Sequence, residues 1–247
     1  MPQFSFDFND FATQVAVGPM HYMSVVGIGN PETESVPTNN GTVSLLQLNG
    51  RRLGVTCAHV VKAYKERLRL DSGVILQVGR SRIELDQIID VDDGRDLAVL
   101  DLERVNVSGM NIPARFFEPI SWPPCDVASG NSISMAGLPG LTRVVSGTRV
   151  DYRTFSATLV PIHRVEDSRL IIQLNREELI FMTGSREEDL PQCLGGVSGG
   201  PVFLNRETSS GLMVNELVGI ISEQSPPYDI FYAQRINCIG LDGRIAR

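Results

Sequence analysis

The chain has 247 residues, 42% hydrophobic and 21% charged, the balance of an ordinary globular protein with material for two small cores. A formal net charge of −7 and a pI near 5.0 weigh against nucleic acid or an anionic membrane as the main partner. No apolar run approaches the roughly 20 residues that cross a bilayer, and Met1-Pro2-Gln3-Phe4-Ser5-Phe6-Asp7 lacks the basic and apolar regions of a signal peptide, so a cytoplasmic location is expected.

Residues 1–20 read as an aromatic-rich extension, with Phe4, Phe6, Phe8 and Phe11 set among polar residues; packing across the back of the fold is expected rather than docking to a partner. Met20 to Ile28 reads as a first strand and Gly29 to Gly41, rich in Pro, Asn and Thr, as a loop. Thr42 to Leu48 and Arg52 to Ala58 flank Asn49-Gly50, a strong hairpin signal, and the second of these strands runs into His59. Lys62 to Arg67 is polar enough for a helical turn; further strands are expected at Arg67 to Leu70, Gly73 to Val78, Arg82 to Val91 and Asp96 to Leu102. Residues 103–125, with Pro113, Pro119, Pro123 and Pro124, read as a crossing between two bodies. Candidate strands then fall at 131–137, 144–160, 169–174, 179–182, 200–204, 213–222 and 229–236. Many short strands between turn residues, with no long helical periodicity, indicate an all-β barrel or sandwich. The expected division is an extension at 1–20, a first barrel at 21–112, a linker at 113–125, and a second barrel with a short tail at 126–247.

The stretch Leu194-Gly195-Gly196-Val197-Ser198-Gly199-Gly200-Pro201 sets four glycines around one hydroxyl. Glycines let another chain approach the backbone closely and leave N–H groups free to face a developing negative charge, which suits a nucleophile beside an oxyanion hole. A tight turn with an incidental serine is the plain alternative, although G-x-S-G-G-P arises by chance in such a chain with a probability on the order of 10⁻⁴. A serine nucleophile needs a base, and the choices are His21, His59 and His163. His59, at the end of the apolar run from Gly54, is the one a sheet would hold rigidly. The base needs an orienting carboxylate. Asp96, opening the apolar run Leu97 to Leu102, sits where an acid is partly buried and needs a partner; Asp92 and Asp93 read as solvated turn acids, and Asp101 as an acid on the polar face of the strand.

Thr56-Cys57-Ala58-His59, Asp96-Leu97-Ala98-Val99-Leu100 and Gly196-Val197-Ser198-Gly199-Gly200-Pro201, in that order, resemble the three signature blocks of the trypsin/chymotrypsin-like serine proteases. Ser132 to Gly140 resembles the start of the second barrel in the bacterial Deg-type, disulfide-free branch, and Gly219-Ile220-Ile221-Ser222 the strand that pairs with substrate. The resemblance implies two six-stranded antiparallel β-barrels with the active site in the cleft between them. It implies a serine endopeptidase acting on proteins or peptides, with Ser198 as nucleophile, His59 as general base and Asp96 as its orienting partner. Gly196 and Ser198 would supply the oxyanion hole, and Gln192, Ser222, Glu223 and Gln224 would contact substrate. A neutral Gln192 offers no countercharge for a basic side chain, so trypsin-like specificity is not implied.

The chain departs from the secreted members of that family. Val197 stands where they carry an acid that receives a freshly cut N-terminus, so activation by another trigger, such as a protein partner or ligand, is expected; a catalytically latent or inactive scaffold is the alternative. Cys57, Cys125, Cys193 and Cys238 miss the family's disulfide positions and are expected to be free thiols. Cys193 lies five residues from Ser198, which disfavours a cysteine protease. A zinc site at Cys57 and His59 lacks a paired C-x-x-C and would consume the histidine. No cofactor and no metal are expected.

Overall fold

The computed structural model describes residues 15–34, 36–37, 39–107, 113–146, 149–152, 154–175, 194–207 and 213–247. Its N-terminal half is built outward from the hairpin that Asn49-Gly50 announces. Asn49 (φ 50°) and Gly50 (φ 78°) are both left-handed, the backbone that lets a two-residue turn follow the twist of its strands. They join β2 (Asn39–Leu48) to β3 (Arg51–Thr56), and with β1 (Met23–Gly29), β4 (Ile75–Val78), β5 (Ser81–Ile83), β6 (Ile88–Asp92) and β7 (Leu97–Asp101) these form one sheet in the order β5-β4-β1-β2-β3-β7-β6.

The expected strand from Arg82 to Val91 is therefore two strands, split by a 3₁₀ turn at Leu85–Gln87, and they lie at opposite edges of the sheet. That placement forces curvature. Seven flat strands would hold the edges about 29 Å apart, whereas the chain from Ile83 to Ile88 reaches at most about 19 Å. Gln87 anchors this link by accepting from the Glu84 amide at 2.9 Å and donating to the Asp101 carbonyl at 3.1 Å. The result differs from a closed six-stranded first barrel: the sheet has seven strands, and among the described residues no ladder joins β5 to β6.

A second difference is the helix α1 (Ala58–Leu70), which occupies the expected strand at Arg67 to Leu70. Ala58, Val61 and Tyr64 are buried at helical spacing and Leu68 packs beside them, while Lys62, Lys65, Glu66 and Arg69 cover the outer face. Arg67 and Arg69 in the last turn suit the negative end of the helix. Residues 15–20 are also helical, and the aromatic residues of the extension lie outside the described residues.

The C-terminal half holds a closed six-stranded barrel. β8 (Ser132–Gly137), β11 (Phe155–Val165), β12 (Arg169–Gln173), β13 (Pro201–Glu207), β14 (Met213–Ser225) and β15 (Ile230–Arg235) close in the order β11-β12-β15-β14-β13-β8. Residues 144–160, expected as one strand, belong to a two-stranded ribbon, β9 (Arg143–Ser146) with β10 (Arg149–Tyr152), and to β11. The strand expected at 179–182 falls outside the described residues. Among the described residues no helix is long and apolar enough to cross a membrane.

Strand pleat divides the apolar residues of β13 and β14 between two cores. Val202 and Leu204 face the barrel interior with Ile133, Met135, Leu170 and Phe231, whereas Phe203 faces the other way, into the core of the curled sheet. A β-bulge around Val218 shifts the phase of β14, so Leu217 and Ile220 join the first core, and Val218 and Ile221 the second. Phe203 also meets Tyr22 and Phe117 at ring-centroid distances of 5.6 and 5.0 Å. Phe117 lies in the expected linker yet exchanges backbone bonds with β2, its amide donating to Leu45 and its carbonyl accepting from Gln47. Truncating this fully buried ring, Phe203→Ala, is expected to cost about 3–5 kcal/mol, read as a lower urea midpoint; a loss below about 1 kcal/mol would show that Phe203 does not join the two cores.

Candidate active site

Ser198 lies on a turn between the described residue Leu194 and β13, whose carbonyls at Gly196, Ser198 and Gly199 are held by groups from β2. Gly196 and Gly199 have φ of 101° and 96°, and a Cβ on Gly199 would stand 1.7 Å from the Thr42 carbonyl oxygen. Nothing larger than glycine fits there. The Thr42 amide donates to the Ser198 carbonyl (2.8 Å), its hydroxyl donates to the Gly196 carbonyl (2.9 Å) and accepts from the Leu138 amide (3.0 Å), and Ser44 Oγ donates to the Gly199 carbonyl (2.8 Å). Sequence reasoning did not single out Thr42 or Ser44. Their signal was present: two hydroxyls in the otherwise apolar run of β2, both fully buried, where a polar group must find partners.

Fastening the carbonyls leaves the amides. Val197, Gly199 and Gly200 donate to Leu194, Ile221 and Val197, but among the described residues neither the Gly196 nor the Ser198 N–H donates to a protein acceptor. The Ser198 hydroxyl donates to the carbonyl of Ser222 at 3.1 Å. Ser222 marks a second irregularity of β14, in the register shift between Ile221 and Glu223, with its own hydroxyl donating to the Tyr232 carbonyl. β13 pairs with β14 only as far as Ile220, so no described strand covers the β13-facing edge of residues 222–225. Gln224 Oε1 accepts from the Leu194 amide at 2.7 Å, tying that edge to the turn. Glu223 is exposed, and Gln192 lies outside the described residues.

His59 is not at a strand end as expected. β3 stops at Thr56, Cys57 caps α1, and His59 is the second helical residue. Its Nδ1 meets Asp96 Oδ2 at 2.8 Å and Oδ1 at 3.1 Å, and its backbone amide donates to Asp96 Oδ1 at 2.9 Å. The carboxylate thus sits on an orphan first-turn amide, at the positive end of the helix. Asp96 is left-handed (φ 51°), a conformation that costs most side chains energy and that aspartate tolerates. Asp92 is no solvated turn acid: its carboxylate accepts from the Arg95 amide (2.9 Å) and guanidinium (2.7 Å), closing the turn that presents Asp96. The Arg95 amide foremost, then its guanidinium, holds the Asp92 carboxyl below the usual range. Asp101, on its strand's polar face, pairs with Arg51.

The two groups approach each other through backbone. A Cβ on Gly41 would lie 3.1 Å from a Val60 methyl and 3.5 Å from the Ser198 carbonyl oxygen. Cys57 Sγ donates to the Ile221 carbonyl (3.2 Å), which also accepts from Gly199. Among the described residues His59 and Ser198 share no hydrogen bond. Side-chain exposures of 50% for His59 and 29% for Asp96 leave the imidazole reachable from solvent. His21 binds the Pro113 carbonyl and His163 is exposed, so neither joins the cluster. Cys57, Cys125 and Cys238 are free thiols, and Cys193 lies outside the described residues. Burial first, and then the Asp96 carboxylate, push the Cys57 thiol well above its ordinary range. An open cavity of about 620 Å³, lined in part by Arg52, Arg104, Arg115 and Phe116, lies at the ends of β3 and β7 opposite His59 and Asp96 and adds nothing to the cluster.

No protein-family model matches the chain, and no curated protein matches it.

Thr42→Val is expected to cost about 1–3 kcal/mol by orphaning the Leu138 amide and the Gly196 carbonyl, with Thr42→Ser recovering most of the loss in urea unfolding. Because folding lowers the Asp92 pKa, its contribution is complete above the unfolded carboxylate pKa of about 3.9 and drains away as pH falls through the folded value. The stability advantage of the native chain over Asp92→Asn is therefore expected to be level from pH 7 to about 5 and to close below about pH 4.

Proposed function

We propose that the chain is a serine endopeptidase, with Ser198 as nucleophile, His59 as general base and Asp96 orienting the imidazole. The observation that carries the reading is the His59–Asp96 pair, fixed through Nδ1 and the helix amide, where α1 and β7 join the sheet whose β2 also clamps the Ser198 turn. We read the curled sheet as the first of two chymotrypsin-like barrels, with the cleft where they meet.

In this mechanism Asp96 keeps the proton on Nδ1, leaving Nε2 as the acceptor. Substrate lies along the uncovered edge of residues 222–225 as an added strand, with Ser222 and Gln224 beside it and Glu223 turned to solvent. Its backbone N–H competes for the Ser222 carbonyl, and the displaced Ser198 hydroxyl rotates about χ1 toward Nε2. Attack on the scissile carbonyl passes the hydroxyl proton to His59, and the oxyanion develops against the free amides of Gly196 and Ser198. His59 then protonates the leaving amine, and water hydrolyses the acyl-enzyme by the same proton route. Losing one oxyanion donor would cost about 3 kcal/mol, or about a hundredfold in rate.

One observation favours a second reading, a latent protease: the Ser198 hydroxyl donates to Ser222 and not to His59. Labelling of the purified chain by a fluorophosphonate probe separates the two. The active reading expects stoichiometric labelling, none in Ser198→Ala, and rates lower by about 10⁶ in His59→Ala and about 10⁴ in Asp96→Asn. Labelling that appears only after a protein partner or ligand is added would establish latency, and labelling retained in Ser198→Ala would overturn both.

A further inference from the structure

The proposed chemistry uses His59 and Asp96 but leaves Cys57 idle beside them. Cys57 Sγ, a ring nitrogen of His59 and a carboxylate oxygen of Asp96 all lie within 4.8 Å of one another, and the ring nitrogen that meets Asp96, at 2.8 Å, is Nδ1. The three come from one rigid junction: Cys57 caps α1, His59 is two residues on, and Asp96 is fastened to the first-turn amide. Ligand atoms around tetrahedral zinc, at about 2.3 Å for sulfur and about 2.0–2.1 Å for nitrogen or oxygen, stand roughly 3.3–3.8 Å apart. Side-chain adjustments of about 1 Å bring the present cluster to that spacing. A thiolate and a carboxylate neutralise a dication, as a site with a fully buried sulfur requires. Sulfur with imidazole selects zinc-like ions over magnesium or calcium.

We propose that Cys57, His59 and Asp96 form a site for a thiophilic divalent cation of the Zn²⁺ class, whose binding switches the serine centre off. The regulatory half of this inference rests on the serine-protease reading; the binding half does not. Asp96 supplies the third ligand that a Cys57–His59 pair lacks, and consumption of the histidine becomes the means of control. On binding, the Cys57 thiol releases its proton to solvent and the thiolate donates a lone pair to the metal. The imidazole proton moves from Nδ1 to Nε2 through water, and Nδ1 and one Asp96 oxygen complete three metal bonds, with water in the fourth position. One proton is released per ion and nothing is oxidised or reduced. Nε2 now carries hydrogen and cannot accept the proton of Ser198, so the base is lost without the cleft being blocked.

The test uses the full chain, stripped with a chelator and titrated with Co²⁺, whose bond to a thiolate gives a near-ultraviolet charge-transfer band. The expected result is a band saturating at one equivalent, removed by Zn²⁺, and lost in both Cys57→Ala and Cys57→Ser while circular dichroism reports a folded protein. In parallel, fluorophosphonate labelling is compared with and without one equivalent of Zn²⁺. The ratio is expected to fall at least tenfold in the native chain and to stay near one in the Cys57 variants. No band, or an equal band in folded Cys57→Ala, overturns the site. A Cys57-dependent band with labelling that ignores Zn²⁺ overturns the control while leaving the site. A Cys57-dependent band in a chain that labels neither alone nor with an added protein partner or ligand overturns the protease reading, and the control with it, while leaving the site.

Discussion

The Gly196–Gly199 turn belongs to no strand, and of the groups that hold it from the opposite half Thr42 makes the most contacts. Thr42 meets it through amide and hydroxyl, and its carbonyl is fixed in turn by the Thr56 hydroxyl at 2.7 Å. Thr56 is the last residue of β3, immediately before the cap of the helix that carries His59. A short polar chain, Thr56 to Thr42 to the turn, therefore links the serine segment to the histidine segment, beside the link from Cys57 through the Ile221 carbonyl to Gly199. Buried polar contacts of this kind cost a great deal when half satisfied, and here every buried side-chain polar atom among the described residues has a partner.

The same contacts separate two causes of one sequence pattern. The glycines around Ser198 suggest a nucleophile, yet three of them have a packing reason: a Cβ on Gly196 would meet the Leu138 carbonyl at 2.8 Å, Gly199 passes against Thr42, and Gly200 lies where a Cβ would meet the Ala136 carbonyl at 2.1 Å. Packing explains why side chains are absent there. It does not explain why two amides beside the hydroxyl are left without protein acceptors, since buried or half-buried N–H groups are normally paired. That pair of amides, more than the glycines, is the chemical signature of the turn.

Much of the fold was legible because local chemistry and tertiary demand agreed. Asn49-Gly50 dictated its turn, and Pro201 to Leu204 read as a strand because its apolar run serves two cores at once. Helix α1 was hidden because Val60 and Val61 extend the strand-like run of β3, and because Lys62, Lys65, Glu66 and Arg67 dilute its apolar face. The break between β5 and β6 was hidden for another reason. Glu84 and Gln87 cap a turn by reciprocal bonds that the alternation of Arg82 to Val91 masks. Within the candidate site, motif blocks singled out His59, Asp96 and Ser198, of which the structure joins His59 to Asp96 by hydrogen bonds. The support from Thr42, Ser44 and Asp92 could not, because each acts through a partner distant in sequence or through a turn geometry that spacing alone does not specify.

β13 and β14 have a thermodynamic meaning as well as a geometric one. Pulling β14 out of the barrel removes Val218 and Ile221 from one interior and Leu217 and Ile220 from the other in the same event. Neither interior can melt while its neighbour keeps a full complement of side chains. The two halves consequently share one cooperative unfolding unit, and a lesion in either interior is felt as softening of both.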